Sequence, residues 1–345
     1  MNYLSVCSGV EAATVAWHHM GWNPVGFSEI EKFPSEVLKH HYPEVPNFGD
    51  MTKFKEWNID GTVGLLVGGT PCQSFSVAGL RKGLEDPRGN LALTYCAILD
   101  RFRPKWFIWE NVPGVLSSSE GRDFGSFLGA VAQLGYGFAY RVLDAQHFGV
   151  AQRRRRVFVV GHIGGWELPA KVLFESESLS GNPEQGAKTR KDIARCLTTG
   201  VGTRLDGETD TFITYAADTF PTLLSSAAGV SRTGNENTED SQYVAHAFKI
   251  RGGCEGGGKG YLGADESAFT LSTHQDQQIF HKMAVRRLTP VECERLQGFP
   301  DNYTNIKNNC PDGPRYKAMG NSMAVPVMRW IGERINEYEQ RGVEA

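Results

Sequence analysis

The segment Leu65-Leu66-Val67-Gly68-Gly69-Thr70-Pro71-Cys72-Gln73-Ser74-Phe75-Ser76 limits what this chain can fold into more than any other stretch. Its short apolar run, Leu65 to Val67, reads as a buried strand, and two glycines end it. Pro71 stiffens the backbone ahead of Cys72, and the residues that follow are small or polar rather than more core. Open α/β sheets place their ligands at the carboxyl ends of parallel strands. A cysteine on a rigid loop at such a place has the position of a nucleophile. An isolated cysteine is more commonly a small buried apolar residue. The segment alone leaves both readings open, and its surroundings decide.

The same strand-then-polar-loop unit recurs along the chain. Tyr3 to Cys7 is an apolar strand, followed by the turn Ser8-Gly9-Val10-Glu11-Ala12-Ala13 and a helical apolar pattern through Trp17 and Met20. That is the opening of a nucleotide-binding βαβ unit. The turn holds one glycine where a dinucleotide fingerprint holds three, which suits a nucleoside cofactor without phosphates, or no cofactor. Pro24 to Ser28 reads as the next strand and ends at Glu29-Ile30-Glu31. Glu29 lies about 20 residues beyond the first turn, the spacing at which an acid accepts ribose hydroxyls. A surface glutamate at a strand end is equally common, and the pairing with Gly9 favours ribose. His40-His41 decorate the end of the following helix, where a cation suits the dipole. In the loop Gly49-Asp50-Met51, Asp50 faces a base amine or caps a helix.

Beyond Cys72, the polar loop from Gln73 to Gly89 carries Arg81, Lys82 and Arg88 among glycines. It reads as a mobile lid whose basic residues touch phosphates. Trp106-Phe107-Ile108-Trp109 is a buried strand ending in Glu110-Asn111-Val112. A carboxylate at the end of an aromatic strand is partly desolvated, so the pKa of Glu110 should rise, as a proton donor or hydrogen-bonding acid requires. Gln152-Arg153-Arg154-Arg155-Arg156 runs into the apolar strand Val157 to Val160. Alternation sends some of these arginines towards the cleft, where they bind phosphate or a planar base.

The 345 residues suffice for a full core and two domains. A net charge of -3 gives no hint of a nucleic-acid partner, although a groove needs only local basicity. The seven cysteines are scattered without a C-x-x-C pair. Neither a metal site nor a disulfide framework is expected, and a reducing cytoplasm is. No signal peptide is read at the N-terminus, and no apolar run approaches the roughly 18 residues of a membrane span. From about Gly165 to Lys282, Gly, Ser, Thr, Asn and Asp dominate, which predicts an irregular β-rich domain with long loops. Order returns at Thr289, which caps a short helix begun by Pro290, with Glu292 completing a capping box and Gly298 ending it. Met319-Gly320-Asn321-Ser322 then leads into an apolar helix at Ala324, Val327, Met328, Ile331, Ile335 and Tyr338.

With these pieces in order, the chain resembles the DNA cytosine-5 methyltransferases and, more loosely, the orphan enzymes of phages and prophages. The resemblance covers residues 1 to about 163 and 284 to 337. It rests on Gly69-Thr70-Pro71-Cys72-Gln73, Glu110-Asn111-Val112, Gln152-Arg153-Arg154-Arg155-Arg156, Arg287-Leu288-Thr289-Pro290 with Gln297-Gly298-Phe299-Pro300, and Gly320-Asn321-Ser322. Each is weak alone; five in family order are specific. The resemblance implies an α/β fold: a Rossmann-like S-adenosylmethionine-dependent domain over residues 1–165, completed by the C-terminal helix at 315–345. Residues 166–314 would form a smaller, irregular β-rich target-recognition domain and hinge.

By the same resemblance, Cys72 is the nucleophile, Glu110 contacts the cytosine ring nitrogen and amine, and Arg156 supports the base with Arg154 nearby. Glu29 would take the ribose of S-adenosylmethionine, Ile30 and Asp50 the adenine, and Asn321 and Ser322 the methionine end. Cys7, Ser8, Gly9, Met51, Pro71 and Leu91 complete the implied cofactor site, which releases S-adenosylhomocysteine. Gln73, Ser76, Arg81, Arg88 and Gln152 are the implied DNA contacts. The expected partners are double-stranded DNA and, as a candidate, a cognate restriction endonuclease; the expected state is a cytoplasmic monomer.

The first loop departs from the family. It usually has an acid before it, more glycine within it and an aromatic against the adenine. Here those places hold Ser5, Gly9-Val10-Glu11-Ala12 and Cys7, which implies weaker cofactor contacts from this loop.

The chemistry explains why such residues are needed. Carbon 5 of cytosine is a poor nucleophile until a thiolate adds to carbon 6, and cysteine both attacks and leaves near neutral pH. The acid and the arginines offset the charge that develops. The base must also leave the duplex to meet them. Three rivals stand against this reading: an NAD-dependent dehydrogenase, an RNA-methylating member of the same family, and a DNA-binding protein with a dead centre. The glycine-poor first loop speaks against the first and the long middle segment against the second. The presence of both Cys72 and Glu110 speaks against the third.

Overall fold

Unbroken apolar runs, rather than alternating ones, mark strands that are covered on both faces. The computed structural model describes residues 1–71, 91–174 and 287–340 with their side chains. Between 194 and 286 it describes the backbone of short strands only. In chain order the strands are β1 (Asn2–Val6), β2 (Asn23–Ser28), β3 (Leu65–Gly69), β4 (Trp106–Asn111), β5 (Gly137–Asp144), β6 (Gln152–Arg153) and β7 (Arg155–His162). The pairs that follow are β8 (Ala194–Arg195) with β9 (Ile213–Thr214), then β10 (His246–Arg251), β11 (Gly260–Asp265), β12 (Ala268–Phe269), β13 (Gln277–His281) and β14 (Ala284–Arg287). The helices are α1 (Ala12–Trp17), α2 (Lys32–His41), α3 (Leu91–Phe102), α4 (Arg122–Gln133), α5 (Glu167–Leu173), α6 (Pro290–Gln297), α7 (Asp312–Asn321) and α8 (Val325–Arg341).

The central sheet runs β2-β1-β3-β4-β7-β5. Its first four strands are parallel; β7 joins antiparallel to β4, and β5 joins antiparallel to β7, so β5 runs in the direction of the first four. Successive residues in each strand feed opposite layers. Tyr3, Leu65, Val67, Trp106, Ile108, Phe158 and Val160 pack with α1 and α8. Leu4, Val6, Leu66, Phe107, Trp109, Val157 and Val159 pack with α3 and α4. Chain order and layer order part company on the first face, because the last helix lies beside the first. The Trp17 indole donates to the Met328 carbonyl at 2.7 Å. Gly332 permits the approach, since a Cβ there would run into the Trp17 ring.

The α6 terminus forms as its sequence dictates. The Thr289 side chain and the Glu292 side chain satisfy each other's backbone amides, Pro290 opens the first turn, and Gly298 closes the helix in the left-handed conformation. Beyond the central sheet, β11-β10-β13-β14 form an antiparallel sheet, and β12 pairs with β6 in parallel. The chain divides into one unit of Met1–Phe174 with Tyr243–Ala345 and another of Glu175–Gln242. The sequence-derived limits of 166 and 314 enclose the second unit, and residues from Tyr243 onward belong to the first. Among the described residues no helix is long and apolar enough to cross a membrane.

Candidate active site

Parallel register brings the carboxyl ends of β1, β3 and β4 together, with Val6 opposite Gly68 and Gly69 opposite Glu110. A small cavity of about 40 Å³ opens there. It is lined by the turn after β1, by Gly69, by Glu110 and by Asn321 to Met323. The Glu110 carboxylate presses against β3, where a Cβ on Gly69 would come within 2.6 Å of its Oε2. A side chain at this end of β3 would have to displace the Glu110 carboxylate.

Alternation along 152–156 buries Gln152 and Arg154, half-buries Arg156, and exposes Arg153 and Arg155. Arg156 Nε stands 3.1 Å from Glu110 Oε1. Burial raises the Glu110 pKa, and the neighbouring Arg154 and Arg156 draw it partly back. Burial, reinforced by Arg156 and opposed by Glu110, pushes the Arg154 guanidinium down to about 9. Arg154 reaches across the fold: it donates to the Ser322 carbonyl at 2.7 Å and the Gly320 carbonyl at 3.4 Å. The Gln297 amide grips the same turn through Met319 and Ser322 carbonyls. Gln152 donates to the Leu296 carbonyl, so this expected DNA contact is a buried tie between β6 and α6.

Strand β4 also fixes the loop ahead of Cys72. The Trp109 indole donates to the Thr70 hydroxyl at 2.9 Å, and the Asn111 amide donates to the Thr70 carbonyl at 3.0 Å. Cys72 itself lies outside the described residues, as do Gln73, Ser76, Arg81, Arg88 and the expected lid. Pro71, the last described residue before them, is exposed, and Leu91 opens α3 on their other side.

The expected cofactor residues gather around the first two strand ends. Glu29 accepts from the Gly9 amide at 2.8 Å and from the Glu31 amide at 2.7 Å, one bond to each carboxylate oxygen. Each oxygen keeps acceptor capacity. Ile30 beside it is 74% exposed. Ser8 joins β1 to β2 by donating to the Ser5 carbonyl and accepting from the Ser28 amide. Asp50 caps the turn that follows it, accepting from the Thr52 amide and hydroxyl. The Cys7 thiol donates towards buried Met51 at 3.5 Å, and burial with Glu29 nearby pushes it up to about 12. Asn321 is exposed at the end of α7 and Ser322 is buried.

The cavity's donor set fits S-adenosylmethionine. Among the described residues no lysine or arginine lines it, so a pyrophosphate would meet no cation from them. Glu29, bonded to Gly9 of the lining, offers acceptors for ribose hydroxyls beside the cavity, and two lining carboxylates, Glu11 and Glu110, give it a negative character. Sequence reading passed over Glu11, Gln297 and the two side chains that hold Thr70. Gln297 and Asn111 stand within motifs of the resemblance, and Glu11 shows as a bulky acid where more glycine was expected.

The family model for C-5 cytosine-specific DNA methylases matches residues 1–337. The chain is similar to an orphan methyltransferase, M.SPRI, of Bacillus phage SPR, at 38% identity over 96% of each chain. It is also similar to an Escherichia phage P1 protein named DNA N-6-adenine-methyltransferase, at 37% identity over 97% of this chain. This chain spans 61% of that protein's length. Among solved structures, a methyltransferase of Entamoeba histolytica, EhMeth, shares the fold with a TM-score of 0.56, 14% identity and 98% coverage of both chains. The chain belongs to the C-5 cytosine-specific DNA methylases, whose reaction is the S-adenosylmethionine-dependent methylation of cytosine at carbon 5 in DNA.

Proposed function

We propose that this chain methylates carbon 5 of a cytosine flipped out of a specific double-stranded DNA sequence, with Cys72 as attacking thiol. The observation that carries this reading is the Glu110–Arg156 pair pressed against Gly69, three positions before Cys72. Thiolate addition to carbon 6 places electron density on carbon 5, and the ring nitrogen at position 3 then takes up a proton or a strong hydrogen bond. Glu110 is suited to that exchange because burial holds its pKa above the ordinary carboxylate value while Arg156 fixes its orientation. Arg154 holds the turn at Ser322, which keeps Asn321 and Ser322 at the cavity mouth. S-adenosylmethionine, when bound near Glu29 and Asn321, supplies the electrophilic methyl group. Loss of the carbon 5 proton and departure of the thiol end the cycle.

A second reading comes from the printed name of the phage P1 protein, which assigns it methylation of the adenine amine. That activity belongs to a protein of which this chain spans 61%, and transfer to an exocyclic amine needs no cysteine. The Pro71-Cys72 loop and the Glu110–Arg156 pair favour the cytosine reading. Bisulfite sequencing and nucleoside mass spectrometry of DNA from cells expressing the chain test it. The expected result is protected cytosines within one sequence context, lost on Cys72→Ala. Methylated adenine without protected cytosine would overturn the reading.

A further inference from the structure

We propose that Glu11 receives the ammonium group at the amino-acid end of the cofactor, supplying from the start of α1 the negative charge that β1 lacks at Ser5. The proposal rests on the assignment of S-adenosylmethionine to the cavity at the strand ends.

The conformation of Glu11 is the first observation. Its backbone is left-handed, with φ 69° and ψ 63°, a region that disfavours any residue with a Cβ. Glycine would sit there without strain. Glutamate at this position folds its side chain back over the end of β1. Oε2 accepts from the Ser5 hydroxyl at 2.8 Å, and Oε1 accepts from the Thr14 amide and hydroxyl, both at 3.2 Å. A helix cap alone would be met by a shorter neutral side chain such as serine or asparagine.

The second observation is electrostatic. Glu11 is 1% exposed, and all three donors that reach it are neutral. A buried carboxylate without a counter-charge is costly, and here burial pushes its pKa up to about 7. The other acid lining the same cavity, Glu110, already faces Arg156. A cation entering the cavity therefore meets its complementary charge at Glu11, whose Oε2 has a single hydrogen bond and further acceptor capacity. Asn321 and Ser322 line the same cavity, so the ammonium and the carboxylate of one amino-acid tail would meet different partners.

The titratable groups facing Glu11 make its response to pH interpretable. Tyr3 on β1, Tyr42 after α2 and Tyr303 after α6 are phenols that burial holds above their ordinary range, so they stay neutral. The Cys7 thiol stays protonated at about 12. Glu29, the remaining facing charge, is tied to the Gly9 and Glu31 amides. Binding an ammonium needs the ionised form of Glu11, so affinity should climb with pH, by about tenfold per unit below its own pKa and levelling above it.

Calorimetric titration with S-adenosylhomocysteine and with 5′-methylthioadenosine, which lacks the amino-acid tail, tests the proposal on the folded full chain. Glu11→Gln keeps the shape and removes the charge. It should weaken S-adenosylhomocysteine about 10- to 100-fold, the scale of a charged hydrogen bond, and leave 5′-methylthioadenosine unchanged. The rise in affinity from pH 6 to pH 8 should disappear with it. The double substitution Ser5→Asp with Glu11→Gly moves the carboxylate to the strand and should recover most of the lost affinity. A Gln variant within twofold of the parent, or one that loses both ligands equally, overturns the proposal. Should Glu11→Gln fail to fold, the double variant decides: tail-dependent affinity supports the proposal and its absence refutes it. A parent chain that binds neither ligand refutes the cofactor assignment itself.

Discussion

One cavity holds a buried acid, Glu11, and a largely buried one, Glu110, in opposite surroundings. Glu110, at the end of β4, faces the Arg156 guanidinium, with Arg154 close enough to influence its charge. Glu11, at the turn after β1, is met among the described residues only by a serine hydroxyl and by the amide and hydroxyl of Thr14. Burial raises both pKa values. At Glu110 the guanidinium charges pull back against burial. At Glu11, hydrogen bonds from neutral groups pull back less than burial pushes, and the value settles near 7. The comparison separates an acid whose charge is balanced within the protein from one whose charge is left for a ligand.

The sharpest way to break this comparison is to remove charge at the balanced site. Glu110→Gln should lower the rate of methyl transfer in a single turnover by at least about 10²-fold, the scale of general acid work, while S-adenosylhomocysteine binding stays intact. A change of only a few-fold would make Glu110 structural and erase the distinction between the two acids.

A smaller effect is expected in the stability of the ligand-free chain. Because the folded-state pKa of Glu11 is raised, the folded chain holds that proton more tightly than the unfolded chain does. The contribution favours folding below about 4.5 and is lost as pH rises through about 7, by at most about 3 kcal/mol. Thermal melts of the parent should therefore fall relative to those of Glu11→Gln as pH goes from 5 to 8. Parallel curves for the two proteins would show that the Glu11 carboxylate is not strained by burial.

The legibility of these features in the sequence follows the distance over which each is determined. The capping box of Thr289 and Glu292 spans three residues and forms as read. Alternation from Gln152 to Arg156 is equally local: Arg154 is buried and Arg156 half-buried, while Arg153 and Arg155 are exposed. The raised pKa of Glu110 follows from its place at the end of an aromatic strand. What the sequence could not disclose depends on distant backbone. Arg154 meets the Ser322 carbonyl 168 positions away, and Gln152 turns inward to Leu296. The hold of Trp109 and Asn111 on Thr70 needs the parallel register of β3 and β4. Glu11 escaped notice for a different reason: a left-handed glutamate is not predicted by any propensity, and its bond to Ser5 exists only because of that backbone.

The central claim, a covalent bond from Cys72 to carbon 6 of the target cytosine, is tested most directly by duplex DNA carrying 5-fluorocytosine at that base. Fluorine replaces the carbon 5 proton and cannot leave as a cation, so the last step is blocked after methyl transfer. The account predicts a protein–DNA complex that requires S-adenosylmethionine, survives denaturing electrophoresis, and is absent with Cys72→Ala. Mass spectrometry should place the linkage within the peptide from Gly68 to Arg81. Absence of any such complex, on a sequence whose unfluorinated version is methylated, would contradict it.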